Sequence, residues 1–147
     1  MKKSKTSPAP LWKRAFAYII DSLIVSMLLA IINFILIISY MGTGGLWTAF
    51  QHPPVGLIAK MAIINPIATV FYWVIFEKGW RKTLGKLLMG IEVRSLTGDL
   101  TFKQAFLRNI TRAHGLLLLI DSLYFFKSKT QRFSDKFCGT EVIESKK

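Results

Sequence analysis

Two long apolar runs dominate the pattern of hydrophobic and polar positions along the chain. The first, residues 16–40, contains no Lys, Arg or Glu, and Asp21 is its single charged side chain. The second run covers residues 57–76. A helix of about 20 residues crosses a hydrocarbon core of ~30 Å, so each run is long enough to span a membrane. We therefore predict two transmembrane helices, over residues 11–40 and 57–76, arranged as an antiparallel hairpin.

A third apolar segment, residues 105–126, is interrupted by charged and polar side chains. Arg108, Arg112 and Asp121 lie within it, and only residues 115–126 are strongly apolar. That apolar part covers little more than half of a bilayer. We expect a third membrane-associated helix that enters the inner leaflet and returns, with a third full span as the alternative.

The segments outside the apolar runs differ in charge. Residues 1–14 carry five cations and no acids, whereas residues 41–56 carry no charged side chain. Cations concentrate on the cytoplasmic side of membrane proteins, the positive-inside bias. The sequence thus predicts a multi-pass protein of the cell membrane with both termini in the cytoplasm. The predicted segments outside the helices are a mobile basic tail (residues 1–10), an external loop (41–56), a basic cytoplasmic segment (77–104) and a cytoplasmic tail (127–147).

The basic segment places cations between apolar side chains at helical spacing, which is typical of a helix on an anionic membrane surface. The residues predicted to contact that surface, here and in the third helix, are Trp80, Arg81, Lys82, Lys86, Arg108 and Arg112. Residues 91–95 and 140–144 alternate like strands, and we expect them to pair. The predicted fold is membrane α-helical, with an interfacial cytoplasmic cap of amphipathic helices and two short strands.

Asp21 is the candidate functional residue of the first apolar run, because a carboxylate in a membrane segment opposes insertion by up to about 3 kcal/mol. Arg14 lies on the same helical face, about 10.5 Å away along the axis, a spacing suited to holding a water, an ion or a third charged group between them. Small and polar side chains on both helices predict a helix–helix contact; they are Ser22, Ser26, Asn33, Asn65 and Thr69. Two interpretations stay open: a polar seam that determines packing, and an ion or proton path that uses Asp21.

The sequence does not show the patterns of an enzyme or a metal site. It contains no nucleophile–base pair, no Cys/His ligand spacing and no phosphate-binding glycine loop. The net charge of +12 is spread over separate segments rather than an aromatic-interleaved basic stripe, which argues against nucleic acid. We expect no enzymatic activity, no cofactor and no metal. The expected partners are a bilayer with anionic headgroups and either further copies of the chain or other membrane proteins.

Several sequence blocks, taken in order, resemble those of RDD-family membrane proteins. The Arg14-x-x-Ala-x-x-x-Asp21 spacing is similar to that family's Arg–Asp signature. Residues 83–93, Thr-Leu-Gly-Lys-Leu-Leu-Met-Gly-Ile-Glu-Val, resemble its T-x-G-K-x-x-x-G-x-x-V block. Three further elements of the family also have a match: residues 107–109 match L-R-N, residues 131–135 match x-R-x-x-D, and residues 139–142 match G-T-x-V.

The resemblance implies that the family's Arg and two Asp correspond to Arg14, Asp21 and Asp135, whereas Asp121 has no counterpart. Sodium/proton antiport has been attributed to some members of that family. One hypothesis is therefore an oligomeric cation/proton-coupled transporter, in which Asp21 takes the proton or cation, Arg14 tunes it and Asp135 pairs with a cation. The alternative is a non-catalytic membrane partner or assembly protein, in which the polar residues serve folding and docking.

Overall fold

Two long apolar helices are the main elements of the computed structural model, which describes residues 7–41, 55–128 and 131–145. Helix α1 is Leu11–Met41 and helix α2 is Val55–Trp80. Both are long and apolar enough to cross a membrane, yet only 6% and 22% of their most apolar windows are buried inside the chain. The core helix of a soluble protein would bury its apolar surface. The exposed apolar surface therefore indicates membrane helices.

The start of α1 packs against the end of α2. Val25, Tyr72 and Trp73 form a buried cluster, and the ring of Tyr18 stacks on that of Trp73 with centroids 6.1 Å apart. The contact thus joins the first half of α1 to the second half of α2. Most of the predicted external loop, residues 42–54, lies outside the described residues.

After α2 the chain forms a small cap, which we define as the described residues of 82–145. Its elements in chain order are α3 (Leu84–Leu88), β1 (Ile91–Ser95), α4 (Phe102–Asn109), a 3-10 turn (Ile110–Ala113), α5 (Gly115–Ser128), α6 (Phe133–Phe137) and β2 (Thr140–Glu144). Strands β1 and β2 pair antiparallel, with Val93 opposite Val142. The backbone N–H of Ala9 donates to the Val142 carbonyl at 3.0 Å, so the segment before α1 also joins the cap.

Two similar units form the sheet of the cap. Each has a five-residue helix, a glycine and a strand: α3 leads through Gly90 into β1, and α6 leads through Gly139 into β2. The two glycines have φ of 65° and 62°. This left-handed conformation ends the helices and favours glycine.

The segment predicted as one third helix, residues 105–126, is divided between α4, the 3-10 turn and α5. The break falls at His114, whose backbone is extended, with φ −140° and ψ 130°. Helix α4 packs against α2 and β1 around Val74, Val93 and Ala105, which positions its end inside the protein. Helix α5 has 14 residues, about 21 Å, which is shorter than a hydrocarbon core of ~30 Å. Helix α5 is thus one of the shorter apolar helices, and the two described helices long and apolar enough to span are α1 and α2.

Candidate functional site between the membrane helices and the cap

The carboxylate of Asp21 joins three elements of the fold. It is 1% exposed and accepts hydrogen bonds from the Tyr72 hydroxyl of α2 at 3.0 Å and from the Thr83 hydroxyl. A third bond comes from the backbone N–H of Gly85 at 2.8 Å. That N–H belongs to the first turn of α3, where amides lack a partner within the helix. Asp21 therefore connects α1 both to α2 and to the cap.

Gly85 allows α3 to approach α1 closely. A Cβ atom at this position would lie 2.1 Å from the carbonyl oxygen of Ala17. Thr83 begins α3 as its N-cap, and its side chain also accepts from the Lys86 N–H at 3.4 Å. The T-x-G-K block thus has a physical explanation: the threonine caps the helix and donates to Asp21, and the glycine leaves room for the backbone of α1.

Buried charged side chains connect α2 to the cap. Glu77 is fully buried, and its carboxylate contacts Lys86 Nζ, Arg108 Nε at 3.4 Å and Asn109 Nδ2 at 2.7 Å. Arg108 Nη2 also lies 2.9 Å from the carboxylate of Asp135. The Arg108 contacts are ion pairs rather than well-directed hydrogen bonds. Because an unpaired buried charge is costly, each member of this network depends on its partners.

A second part of the network joins the two acidic residues near the end of the chain. Arg132 Nη2 lies 3.2 Å from Asp135, and Arg132 Nη1 lies 3.5 Å from Asp121. Asp121 accepts hydrogen bonds from the backbone N–H and the hydroxyl of Ser134, at 2.6 and 2.8 Å. Asp121, which has no counterpart in the family pattern, therefore positions the start of α6.

Burial and the neighbouring charges shift the pKa values of several cap residues. Burial lowers the pKa of Lys86 to about 7, and Glu77 opposes that shift. Burial would raise the pKa of Asp135, but Arg132 and Arg108 outweigh it and hold that pKa below its usual range. Burial lowers the pKa of Arg112 to about 10. Burial therefore disfavours the charged form of Lys86, whereas the two arginines favour the charged form of Asp135.

A cavity of about 340 Å³ lies beside this network, between the start of α1 and the cap. Its charged lining residues are Asp21 and the cations Arg14, Lys86, Arg108, Arg112 and Arg132. Arg14 and Asp21 thus face the same cavity, as their spacing predicts. The sign of the lining is strongly positive.

Two arginines of the cavity are oriented by different contacts. Arg14 donates from Nε to the Ala9 carbonyl at 3.0 Å and from Nη2 to the Val142 carbonyl at 2.9 Å. The guanidinium of Arg112 lies 4.5 Å from the centroid of the Trp73 ring, a cation–π contact. Arg14 therefore connects the start of α1 to β2, and Arg112 connects the 3-10 turn to α2.

The predicted polar stripe is not brought into one continuous contact. Ser22, Asn33, Asn65 and Thr69 are half-buried, whereas Ser26 is exposed. The side-chain oxygens of Ser22, Asn33 and Asn65 are buried and have no hydrogen-bond partner among the described residues.

The predicted membrane-surface residues are divided between the surface and the interior. Trp80 and Arg81 are exposed, and Lys82 is half-buried. Lys86 and Arg108 need correction: both are buried, because the carboxylate of Glu77 lies inside and pairs with them. Arg112 is likewise drawn inward, onto the ring of Trp73. A helix with cations between apolar residues has the same pattern whether it faces headgroups or an internal carboxylate.

Glu77 is a candidate site residue that the sequence analysis did not select. It follows the second apolar run as Asp21 falls within the first, so the same criterion, a carboxylate at the end of a membrane-length segment, would have selected it. Tyr72, Thr83 and Gly85 could not be selected in this way, since their role depends on contact with Asp21.

A comparison with protein-family models identifies the family of the chain. Within the described residues, no group of His, Cys, Asp and Glu is placed to hold a metal ion. Neither a curated protein nor a solved structure matches the chain. The family model described as RDD family matches residues 8–139, which covers most of the chain and includes Arg14, Asp21 and Asp135. The chain therefore belongs to the RDD family of membrane proteins.

Proposed function

We propose that this protein is a non-catalytic membrane assembly protein, in which the two membrane helices and the cap form one unit that binds further copies of itself. The observation that carries the proposal is the environment of Asp21. Three donors from α2 and α3 occupy three of the roughly four acceptor sites of its buried carboxylate. A carboxylate that binds and releases a cation needs several free acceptor sites, whereas most acceptor sites of Asp21 hold the cap on the helices.

The charge around Asp21 supports the same proposal. Five cationic side chains line the adjoining cavity. A cleft lined by one sign of charge lowers the local concentration of ions of that sign. A cation is therefore a poor ligand for this cavity.

The exposed side of α1 offers a surface for a second copy. Ser26 and Ala30 are exposed small residues one helical turn apart. Small residues let membrane helices approach closely, and serine hydroxyls donate across such contacts. A neighbouring α1 packed on this stripe would give the homo-oligomer that we propose.

Cysteine cross-linking in native membranes tests this contact. In a Cys138→Ser background, Ser26→Cys should form a disulfide-linked dimer on mild oxidation. Met27→Cys is the matched control, since Met27 is 71% exposed and lies on the adjacent face of the same helix. A dimer from Ser26→Cys and not from Met27→Cys is expected. Equal cross-linking of the two variants, or none of either, would contradict self-association through this stripe.

The second candidate function is oligomeric cation/proton-coupled transport, which the Lys86–Glu77 pair favours. Lys86 lines the cavity, and its pKa of about 7 would allow proton exchange at neutral pH. In that mechanism Asp21 binds the cation, Arg14 tunes Asp21, and Asp135 holds the cap through Arg108 and Arg132. Two helices do not enclose a path, so neighbouring copies would supply the remaining walls.

Flux measurements on reconstituted vesicles separate the two functions. The assembly proposal expects no pH-driven cation flux from the wild-type protein, and no difference in Asp21→Asn. Flux in the wild type that Asp21→Asn abolishes would replace the assembly proposal with transport. A Lys86→Met variant would then show whether Lys86 carries the proton.

The proposal also includes the location. We place the protein in the cell membrane as a multi-pass protein with both termini and the cap in the cytoplasm. The support is the charge distribution, with five cations in residues 1–14 and no charged side chain in residues 41–56.

A further inference from the structure

Among the described charged side chains that line the cavity beside Asp21, five are cations and one is a carboxylate. Three of these cations pair with nearby carboxylates. Glu77 pairs with Lys86 and Arg108, Asp135 pairs with Arg108 and Arg132, and Asp121 pairs with Arg132. Two more guanidinium groups, of Arg14 and Arg112, line the same space. Asp21 is the one carboxylate among the lining residues that the structure describes, and neutral donors hydrogen-bond it. An anion would be attracted to this cavity.

Arg112 has unused hydrogen-bond donors on its guanidinium. Its Nε and Nη1 are buried and have no hydrogen-bond partner among the described residues. Glu77 and Asp21 act on it electrostatically, but the ion pairs of the described part of the chain do not include it. The guanidinium lies over the ring of Trp73, 4.5 Å from its centroid, which holds the group beside the cavity. An oriented guanidinium with free N–H groups is the usual group for binding phosphate or carboxylate through two hydrogen bonds.

We propose that this cavity is a binding site for a phosphate group, which Arg112 holds through its free N–H groups and which Arg14 and Arg132 attract. A phosphate offers several strong acceptor oxygens and one to two negative charges, so it can meet more than one guanidinium. The volume of about 340 Å³ falls within the range of ~300–1,000 Å³ that is common for small-molecule sites.

The apolar part of the lining favours a lipid headgroup as the source of that phosphate. Leu11 and Tyr18 of α1 and Leu118 of α5 line the cavity next to the cations. The same helices continue into exposed apolar surface, including Ile19 and Leu119, where acyl chains can pack. Basic pockets beside membrane helices bind phosphate headgroups in this way. The site goes beyond the proposed assembly function and does not depend on it.

The full chain in phosphatidylcholine nanodiscs, with and without phosphatidic acid, tests the site. Lipids that stay bound are counted by native mass spectrometry, and thermal unfolding is followed with and without inorganic phosphate. Arg112→Gln should weaken phosphatidic acid binding by about tenfold or more, the expected loss of a charge-assisted hydrogen bond. Lys103→Gln is the matched control, since it removes one charge from an exposed position of α4 that does not line the cavity.

A second variant keeps every charge and changes only the space. Ala15 lines the cavity and is exposed, so Ala15→Phe should fold normally and block binding. If Arg112→Gln does not fold, Ala15→Phe still tests the site. Stabilisation by inorganic phosphate in neutral discs, as strong as that by phosphatidic acid, would assign the site to a free anion instead of a lipid. Equal losses in Arg112→Gln and Lys103→Gln, or no binding of either probe by the wild type, would overturn the proposal.

Discussion

A Cβ atom at position 85 would lie 2.1 Å from the carbonyl oxygen of Ala17, so Gly85 brings the backbone of α3 into direct contact with α1. The N–H of the same residue donates to Asp21 at 2.8 Å. The atom that blocks a side chain belongs to the helix backbone and has no rotamer by which to move away. The attachment of the cap to the first membrane helix therefore requires a glycine at this position.

Gly85→Ala should destabilise the protein because α3 must move away from α1 and lengthen its bond to Asp21. Overpacking of this kind costs about 1–3 kcal/mol, and the rigid contact places the expected loss at the upper end. The free energy of unfolding in detergent micelles, followed by tryptophan fluorescence during denaturant titration, measures the change.

Gly79→Ala is the control for that substitution. Gly79 lies in α2, and no atom within 4 Å would meet its added Cβ. Alanine in an open helical position should stabilise by about 0.5–1 kcal/mol. A Gly85→Ala protein as stable as Gly79→Ala would show that the close contact with Ala17 does not form.

Substitutions of Asp21 should separate loss of charge from loss of hydrogen bonding. Asp21→Ala leaves the donors of Tyr72, Thr83 and Gly85 without their acceptor, and each buried unpaired group costs about 1–3 kcal/mol. We expect a loss of about 3 kcal/mol or more. Asp21→Asn keeps one acceptor oxygen and should lose about 1 kcal/mol. Equal losses of unfolding free energy in the two variants, measured by denaturant unfolding, would contradict these hydrogen bonds. Asp99→Asn is the control: Asp99 belongs to an exposed ion pair, so its substitution should change the unfolding free energy little.

The membrane helices and Asp21 could be predicted because both depend on local sequence. The length of an apolar run determines whether it spans, and a charge inside such a run is conspicuous. The partners of Asp21 could not be predicted, since Thr83 and Gly85 are 62 and 64 residues away along the chain. Packing determines which donors reach a buried carboxylate, and the hydrophobic periodicity of the sequence does not indicate those donors.

The inward position of Lys86 and Arg108 could not be predicted for a related reason. Both occur among apolar side chains, as surface cations of an amphipathic helix do. Their burial depends on Glu77, whose carboxylate is fully buried at the end of α2. Lys86 and Arg108 are drawn inside because the buried carboxylate of Glu77 needs cationic partners.

The Glu77–Lys86 pair should behave as one unit in a double-mutant cycle. Glu77→Gln leaves the buried Lys86 without this carboxylate, and Lys86→Met leaves Glu77 with Arg108 as its one ion-pair partner among the described residues, so each single variant should lose up to about 3–5 kcal/mol. The double variant should lose less than the sum of the single losses, by roughly 1–3 kcal/mol, because no unpaired member of this pair remains. Lys82 and Glu92 form a control pair, 3.3 Å apart but partly exposed, with an expected coupling of about 1 kcal/mol at most. Additive losses at Glu77 and Lys86 would refute the coupling.

The proposed topology predicts which positions react with an impermeant thiol reagent in intact cells. Native Cys138 is buried and is a poor reporter, so it is first replaced by Ser. Thr48→Cys, in the external loop proposed for residues 41–56, should be labelled from outside. Asp99→Cys, at a cap position whose side chain is 89% exposed, should be labelled only after permeabilisation. The reverse pattern would place the cap outside the cell.

Lys86 should give stability an unusual dependence on pH. Burial lowers its pKa from an ordinary value of 10.5 to about 7 in the folded protein. Between these two values the unfolded chain holds a proton that the folded protein has released. Because stability increases with pH wherever the unfolded state binds more protons, the Lys86 contribution rises from about pH 7 upwards.

The slope due to one such group approaches about 1.4 kcal/mol per pH unit. Denaturant unfolding of the wild type from pH 7 to pH 9 should therefore show a rising free energy of unfolding, and Lys86→Met should be nearly flat over this interval. Arg112, with a pKa of about 10, titrates above it. The acid limb should be shallower in Lys86→Met, because Lys86 helps to lower the pKa of Glu77 and of Asp135, and the stability due to those lowered values is lost as the pH falls below about 4. An equally steep rise in Lys86→Met would mean that Lys86 is not the group that titrates.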